Sequence, residues 1–217
     1  LWWKELIGTE PEQSIADLRR GEKRDSGFFQ NNRLNLHVSR NKFAWVYQFS
    51  DQALKDFDIP VIGSFLEEVP SFRKLIVESF KKVEYPILNR VAFGCVLLVK
   101  VNNEAESLRL LQRFIPNIKL DPHDSSDFFY QINRRRISTV VPELKINRLS
   151  KWSTSTWSLA EMSEGRNIQT ATTFCQLELD VNTVPDYAGE LDPDVISQVF
   201  SELIDYAIEI SEKGDVP

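Results

Sequence analysis

The chain has 217 residues, 42 % of them hydrophobic and 27 % charged, so a hydrophobic core can stabilise it without disulfides or metal. A formal net charge of −6 gives no whole-molecule field that draws in nucleic acid, although a local basic face stays open. Eight glycines with no phosphate loop exclude the ordinary nucleotide-binding folds, and no apolar run reaches the length of a membrane span.

Taken in chain order, the predicted elements begin with a short helix over Thr9 to Arg20, with Thr9 and Glu12 as a capping box and Gly21 as the stop. Residues 21–32 are polar and read as a loop. RLNLHVS then alternates, with Leu34, Leu36 and Val38 on one face. KFAWVYQF follows after SRNK, with Phe43, Trp45, Tyr47 and Phe49 on one face, so the two runs predict a hairpin. Phe72, Leu75, Ile76, Phe80 and Val83 predict a helix over 70–84, bracketed by Pro70 and Pro86.

ILNRVAFGCVLLVKV is nearly continuous in apolar residues and predicts a strand covered on both faces for much of its length. Asn103 and Glu106 mark a helix ending near Phe114. Residues Phe128 to Leu159 read as strands with polar turns. TFCQLELDVN predicts a strand with Cys175, Leu177, Leu179 and Val181 on one face. The last element is an amphipathic helix over 192–213. Asp192 caps it, Pro193 sits in its first turn, and Ile196, Val199, Phe200, Leu203 and Ala207 form the buried stripe. Helices separated by runs of strands predict an α+β fold, a mostly antiparallel sheet with amphipathic helices packed on it. The expectation is a single domain over 1–217, with two related halves near 1–115 and 116–217 as the alternative division.

Cys95 and Cys175 both lie in apolar runs and predict buried, reduced thiols in a cytoplasmic protein. The chain opens on Leu1 with no charged-then-apolar signal segment, and the expectation is that an N-terminal piece and some internal loops are missing from it.

Several segments carry candidate chemistry. In KLDPHDSSD, the side chains of Asp121, His123, Asp124 and Asp127 could hold a divalent metal. An EF-hand fails there, with Ser126 at the glycine position and Ile132 at the terminal carboxylate, so a polar turn with no metal is the preferred reading. Glu143–x–Lys145 with Asp127 upstream would suit a magnesium nuclease. About two such acid–x–Lys triplets are expected by chance in this composition, so one carries no information. Arg134, Arg135, Arg136, Arg148 and Lys151, with Trp152 and Trp157 following, suit single-stranded nucleic acid. The competing reading is an edge strand kept soluble by charge, with its tryptophans in the core. No G-x-S-x-G elbow and no sequence-adjacent Cys–His pair suggests a nucleophile. Trp2 and Trp3 need cover, and Ile204, Ile208 and Ile210 extend the stripe of the last helix. These five predict apolar contact area for a homodimer or a hetero-complex.

The order LNLHVSRNKFAWVYQF, FRKLIVESFKKVEYP, ILNRVAFGCVLLVKV, FCQLELDVN and terminal helix resembles an uncharacterised, sporadically distributed family of prokaryotic proteins, over roughly residues 33–213. Arg90 with its following strand, and Leu179–Asp180, are the nearest matching positions. The ending VKVNN departs from that family, which has a tyrosine and an asparagine–arginine there. The resemblance implies a bacterial cytoplasmic setting and company with mobile-element or antiviral defence genes, and it carries over no catalytic residue. The sequence therefore predicts a non-enzymatic protein-binding module without cofactor. The alternative is a nucleic-acid binder or metal-dependent nuclease using residues 121–151.

Overall fold

The structure is a computed structural model and describes residues 2–50, 60–163, 166–187, 189 and 191–215. It is α+β, with two antiparallel sheets and four helices among the described residues, and it divides into two compact units, Leu1–Pro86 and Ile87–Pro217. The boundary falls ahead of the predicted division near residue 115 because the strand after Pro86 pairs with a strand near the C-terminus.

The first unit is a meander of four strands, β1 (Gln13–Asp17), β2 (Glu22–Phe29), β3 (Asn32–Val38) and β4 (Phe43–Gln48), with helices α1 (Trp2–Ile7) and α2 (Phe65–Lys82). The predicted hairpin 33–49 is present as β3–β4, with Leu34 and Leu36 buried. The predicted helix over 9–20 is not. That stretch has too few apolar residues for a buried stripe, and β1 is exposed along its whole length. The side chain of Asp17 accepts from the backbone N–H groups of Arg19 and Arg20, which turns the chain back into β2. Gly21, at φ 67°, belongs to that turn and not to a helix end. The predicted loop 21–32 is mostly β2. Its polar Asp25 is buried but satisfied, accepting from Ser14 Oγ at 2.6 Å and Lys23 Nζ at 2.7 Å.

Helix α2 starts five residues before the predicted Pro70. Ser64 is its N-cap position and Pro70 lies in the second turn. The donor that Pro70 lacks would have served the carbonyl of Leu66, an exposed residue that water can reach. Trp3, Leu6, Leu34, Leu36 and Leu75 form this unit's core, flanked by Trp2, Trp45, Tyr47 and Phe72.

The second unit is built on β8 (Lys145–Ser163) and β9 (Arg166–Thr183). Strand β5 (Ala92–Val101) pairs with the outer side of β9. Strands β6 (Phe129–Asn133) and β7 (Arg136–Ile137) pair with the outer side of β8. Helix α3 (Glu104–Phe114) joins β5 to β6, and α4 (Pro193–Lys213) follows β9. Both start as the sequence predicts. Asn103 Oδ1 accepts from the N–H of Glu106, whose carboxylate accepts from Asn102, and Asp192 Oδ1 accepts from the N–H of Val195.

Both helices pack on one face of the sheet. Ile146, Arg148, Ser150 and Trp152 of β8 point to it, with Leu177, Leu179 and Val181 of β9. Thr154 Oγ1 donates to Ser107 Oγ of α3, and Arg148 Nη2 donates to Glu209 of α4. Cover on one face only corrects the expectation for β5. Its buried Phe93 and Val101 look toward the helices, while Val96, on the other face, is 53 % exposed; Val99, on the helix side, is also 52 % exposed.

Gly27 is required by packing. A Cβ on it would lie 2.9 Å from Trp3 Cζ2, so Gly27→Ala is expected to lower stability by about 1–3 kcal/mol. Urea unfolding followed by tryptophan fluorescence checks this, and an unchanged midpoint would show that Trp3 does not press on β2.

Candidate functional site

The predicted basic stretch folds inward. Arg134 Nε and Nη2 bond both oxygens of Asp215 at 2.7 and 2.8 Å, a two-pronged pair, and Tyr130 Oη donates to the same carboxylate at 2.8 Å. Arg136 Nη1 and Arg148 Nη2 each donate to Glu209 Oε2 at 3.0 Å. Both guanidinium groups also lie over the Tyr206 ring, 5.4 and 5.1 Å from its centre. The side chain of Arg148 has no exposed surface, and its Nε and Nη1 have no hydrogen-bond partner among the described residues. Burial and the neighbouring Arg136 lower its pKa.

Above these, Glu202 of α4 accepts from Ser138 Oγ, from the N–H and Oγ1 of Thr139, and from Tyr206 Oη. Burial, aided by Glu202, raises the pKa of Tyr206. Asp215 is positioned by the end of α4. Gly214, at φ 81°, turns the chain, and the N–H of Asp215 donates to Phe114 O at 2.7 Å. Gly214 has no room for a side chain, since a Cβ there would collide with the backbone of Phe114.

Arg135 and Lys151 sit on the other face of the sheet. Arg135 Nε donates to Asn147 Oδ1, and Lys151 Nζ pairs with Glu178 at 2.7 Å. Asn147 belongs to an amide chain in which Asn133 donates to Asn147, Asn147 to Asn182 and Asn182 to Asp180. The five predicted nucleic-acid residues are therefore divided between two faces, and each is bonded to a neighbour of its own chain. Trp152 is in the core, stacked on Phe114, whereas Trp157 is 42 % exposed.

The nuclease set does not converge. Asp127 precedes β6, whose Phe129 lies opposite Ser153, while Lys145 begins β8. From 145 to 153 is about 26 Å of strand. Glu143 is exposed, with φ 73°. Asp121 and His123 are exposed, and Asp121 Oδ1 accepts from the His123 backbone N–H at 2.9 Å, the work of a polar turn. Asp127 also has positive φ, 52°, and its N–H donates to Glu104. Among the described residues, no three His, Cys, Asp or Glu side chains gather as a metal set.

Of the residues predicted to meet a partner, Trp3, Ile204 and Ile210 are buried in the cores of their own units. Trp2 is half-buried with its ring 4.8 Å from Tyr85 and 5.6 Å from Phe43, and Ile208 is half-buried. Their apolar area is largely spent inside the fold.

The open strand edge is that of β5, which the sequence predicts as covered on both faces for much of its length. β5 has a neighbour on one side only among the described residues. The N–H of Thr183 donates to Val91 O at 2.9 Å, and the N–H of Val91 donates to Thr183 Oγ1, so Val91 and Thr183 face each other through their polar groups. In an antiparallel ladder such pairs alternate. Phe93, Cys95, Leu97, Val99 and Val101 therefore turn their backbone groups to β9. Ala92, Gly94, Val96, Leu98 and Lys100 turn theirs away. Four of these five are exposed, and Leu98 is half-buried. A ten-residue apolar strand with one charge thus presents an open row of donors and acceptors.

No protein-family model, curated protein or solved structure matches the chain. No described helix is long and apolar enough to cross a membrane.

Two measurements follow from this geometry. Arg134 holds the Asp215 carboxyl below its ordinary range. The unfolded chain then binds the extra proton first, so this pair's stabilisation is complete above the ordinary carboxylate pKa and is lost as pH falls through the lower, folded value. Asp215→Asn is expected to flatten the acid limb of stability against pH; an unaltered limb would show that the pair contributes nothing. Burial pushes the thiols of Cys95 and Cys175 up to about 12 and about 11. Cys175 is buried and Cys95 half-buried, both unpaired. Alkylation at pH 8 is expected to be slow in native protein and rapid at both sites in denaturant, read by intact mass. Rapid native labelling would contradict this.

Proposed function

We propose that this chain is a non-enzymatic binding module that takes an extended segment of a protein along the open edge of β5. The carrying observation is the outward row at Ala92, Gly94, Val96, Leu98 and Lys100. Exposed backbone N–H and C=O groups in a strand are best satisfied by another strand, and side chains at alternate positions then give specificity. Val96 and Val99, both half exposed and on opposite faces, would grip apolar residues of the added strand on either side.

The polar network beside α4 supports the same reading from the other direction. Its acids, arginines and tyrosines are bonded to one another, which locks α4 to the sheet. A bacterial cytoplasmic setting, and an association with defence or mobile-element genes, are part of this proposal and rest on the sequence resemblance alone.

The test uses displayed peptides selected on the intact chain and measured against Val96→Pro. Val96 turns its N–H away from β9, so proline there removes an outward donor and no bond of the β5–β9 ladder. Selected peptides are expected to alternate apolar and polar residues and to bind Val96→Pro at least about tenfold more weakly, with unchanged circular dichroism. Equal binding to both proteins would overturn the proposal.

A further inference from the structure

Resting on the reading of β5 as a strand-docking edge, we propose that its occupant is β5 of a second copy. The two copies would run antiparallel about a two-fold axis at Leu97, joining two sheets into one.

Self-pairing is strongly restricted by geometry. Outward residues must meet outward residues, so positions 92, 94, 96, 98 and 100 pair only among themselves and their even-numbered neighbours. With the axis at Leu97, Val96 meets Leu98 of the second copy, and Gly94 meets its Lys100. On the helix side Cys95 meets Val99 of the second copy, Phe93 meets its Val101, and Leu97 meets its own counterpart. Every pair but one is apolar against apolar. The exposed Val96 and Val99 are both covered. No like charges stand opposite each other, the usual device against edge pairing.

The exception fixes the register. Gly94 lies between Asp180 on β9 and the place that Lys100 of the second copy would take. All three positions are in one row on one face. Gly94 has no side chain, so the row is open across it, and its Cα packs so closely on β9 that a Cβ would sit 3.2 Å from Leu179 O. Asp180 and the incoming lysine would be two strand spacings apart, about 9.5 Å at the backbone, a span that an extended lysine and an aspartate close. Asp180 Oδ1 accepts from Asn182, which holds the carboxylate on that face. The two-fold axis supplies this contact twice. One small residue, one acid and one base thus stand where an antiparallel copy needs them.

Three measurements on the whole chain test the proposal. Sedimentation equilibrium at micromolar concentration is expected to show a dimer. Lys100→Glu, and separately Asp180→Lys, should each weaken dimerisation about tenfold or more, and the double variant should recover most of the loss. In a Cys95→Ser, Cys175→Ser background, Leu97→Cys should oxidise to a covalent dimer, because an axial pair of this kind brings the two Cα atoms within disulfide range. A monomer at the highest soluble concentration would overturn the proposal. So would a dimer that neither charge change weakens and that Leu97→Cys does not cross-link. A monomeric chain that still binds selected peptides in a Val96-dependent way would remove self-pairing and leave the docking edge standing.

Discussion

The long β8–β9 ladder is the constraint on which the second unit depends. It runs from Ile146–Thr183 to Ser163–Arg166 without a break in register. Each of its strands has one more side to offer, and the rest of the sheet is added there, β5 on β9 and β6 with β7 on β8. The register also decides the faces. It places Ile146 and Trp152 with Leu177, Leu179 and Val181 toward the helices. A slip of one residue would send these to solvent and bring Lys151, Glu178 and Asp180 into the core.

Helix α4 is held on that face by two different kinds of force. Its apolar stripe supplies the main burial, with Val199, Leu203, Ile204 and Ala207 fully covered. The charged pairs act on direction more than on stability. Arg148 has lost all contact with water and, among the described residues, gets a single ionic bond in return, from a carboxylate that also serves Arg136 and Lys213. Burial of such a charge is costly, and an apolar side chain of like size would often do as well for stability. The network fixes where the helix end lies against β6 and β7, because Glu202, Glu209 and Asp215 must each find their own donors.

Edges decide where such a molecule is sociable. In the first unit β1 is short, polar and exposed throughout. In the second unit the β6–β7 side is broken into short strands, and Arg134 and Arg136 are tied to α4 and its following turn. Both are ordinary ways to discourage pairing. β5 has neither protection. It is long, regular and apolar, with Lys100 near its end, which is why the binding reading centres on it.

The sequence by itself determined what depends on neighbours a few residues away. The caps at Asn103 and Asp192, the buried stripe of α4, the alternation of β3, β4 and β9 and the turn at Asp121 were all readable, because each rests on local periodicity or a local hydrogen bond. The α+β class followed from their order. Tertiary structure decided the rest. An apolar run such as 92–101 reads the same whether the strand is central or at an edge, and only the fold left it paired with β9 alone among the described residues, with Val96 and Val99 exposed. Thr9 to Arg20 looked helical by its end signals, but without an apolar stripe it had no face to bury, and the free side of β2 claimed it. Arg134 and Arg136 read as a surface for phosphate because their acids, Asp215 and Glu209, lie more than seventy positions away along the chain. Charge partners that distant are joined by folding, and no reading of neighbouring letters contains them.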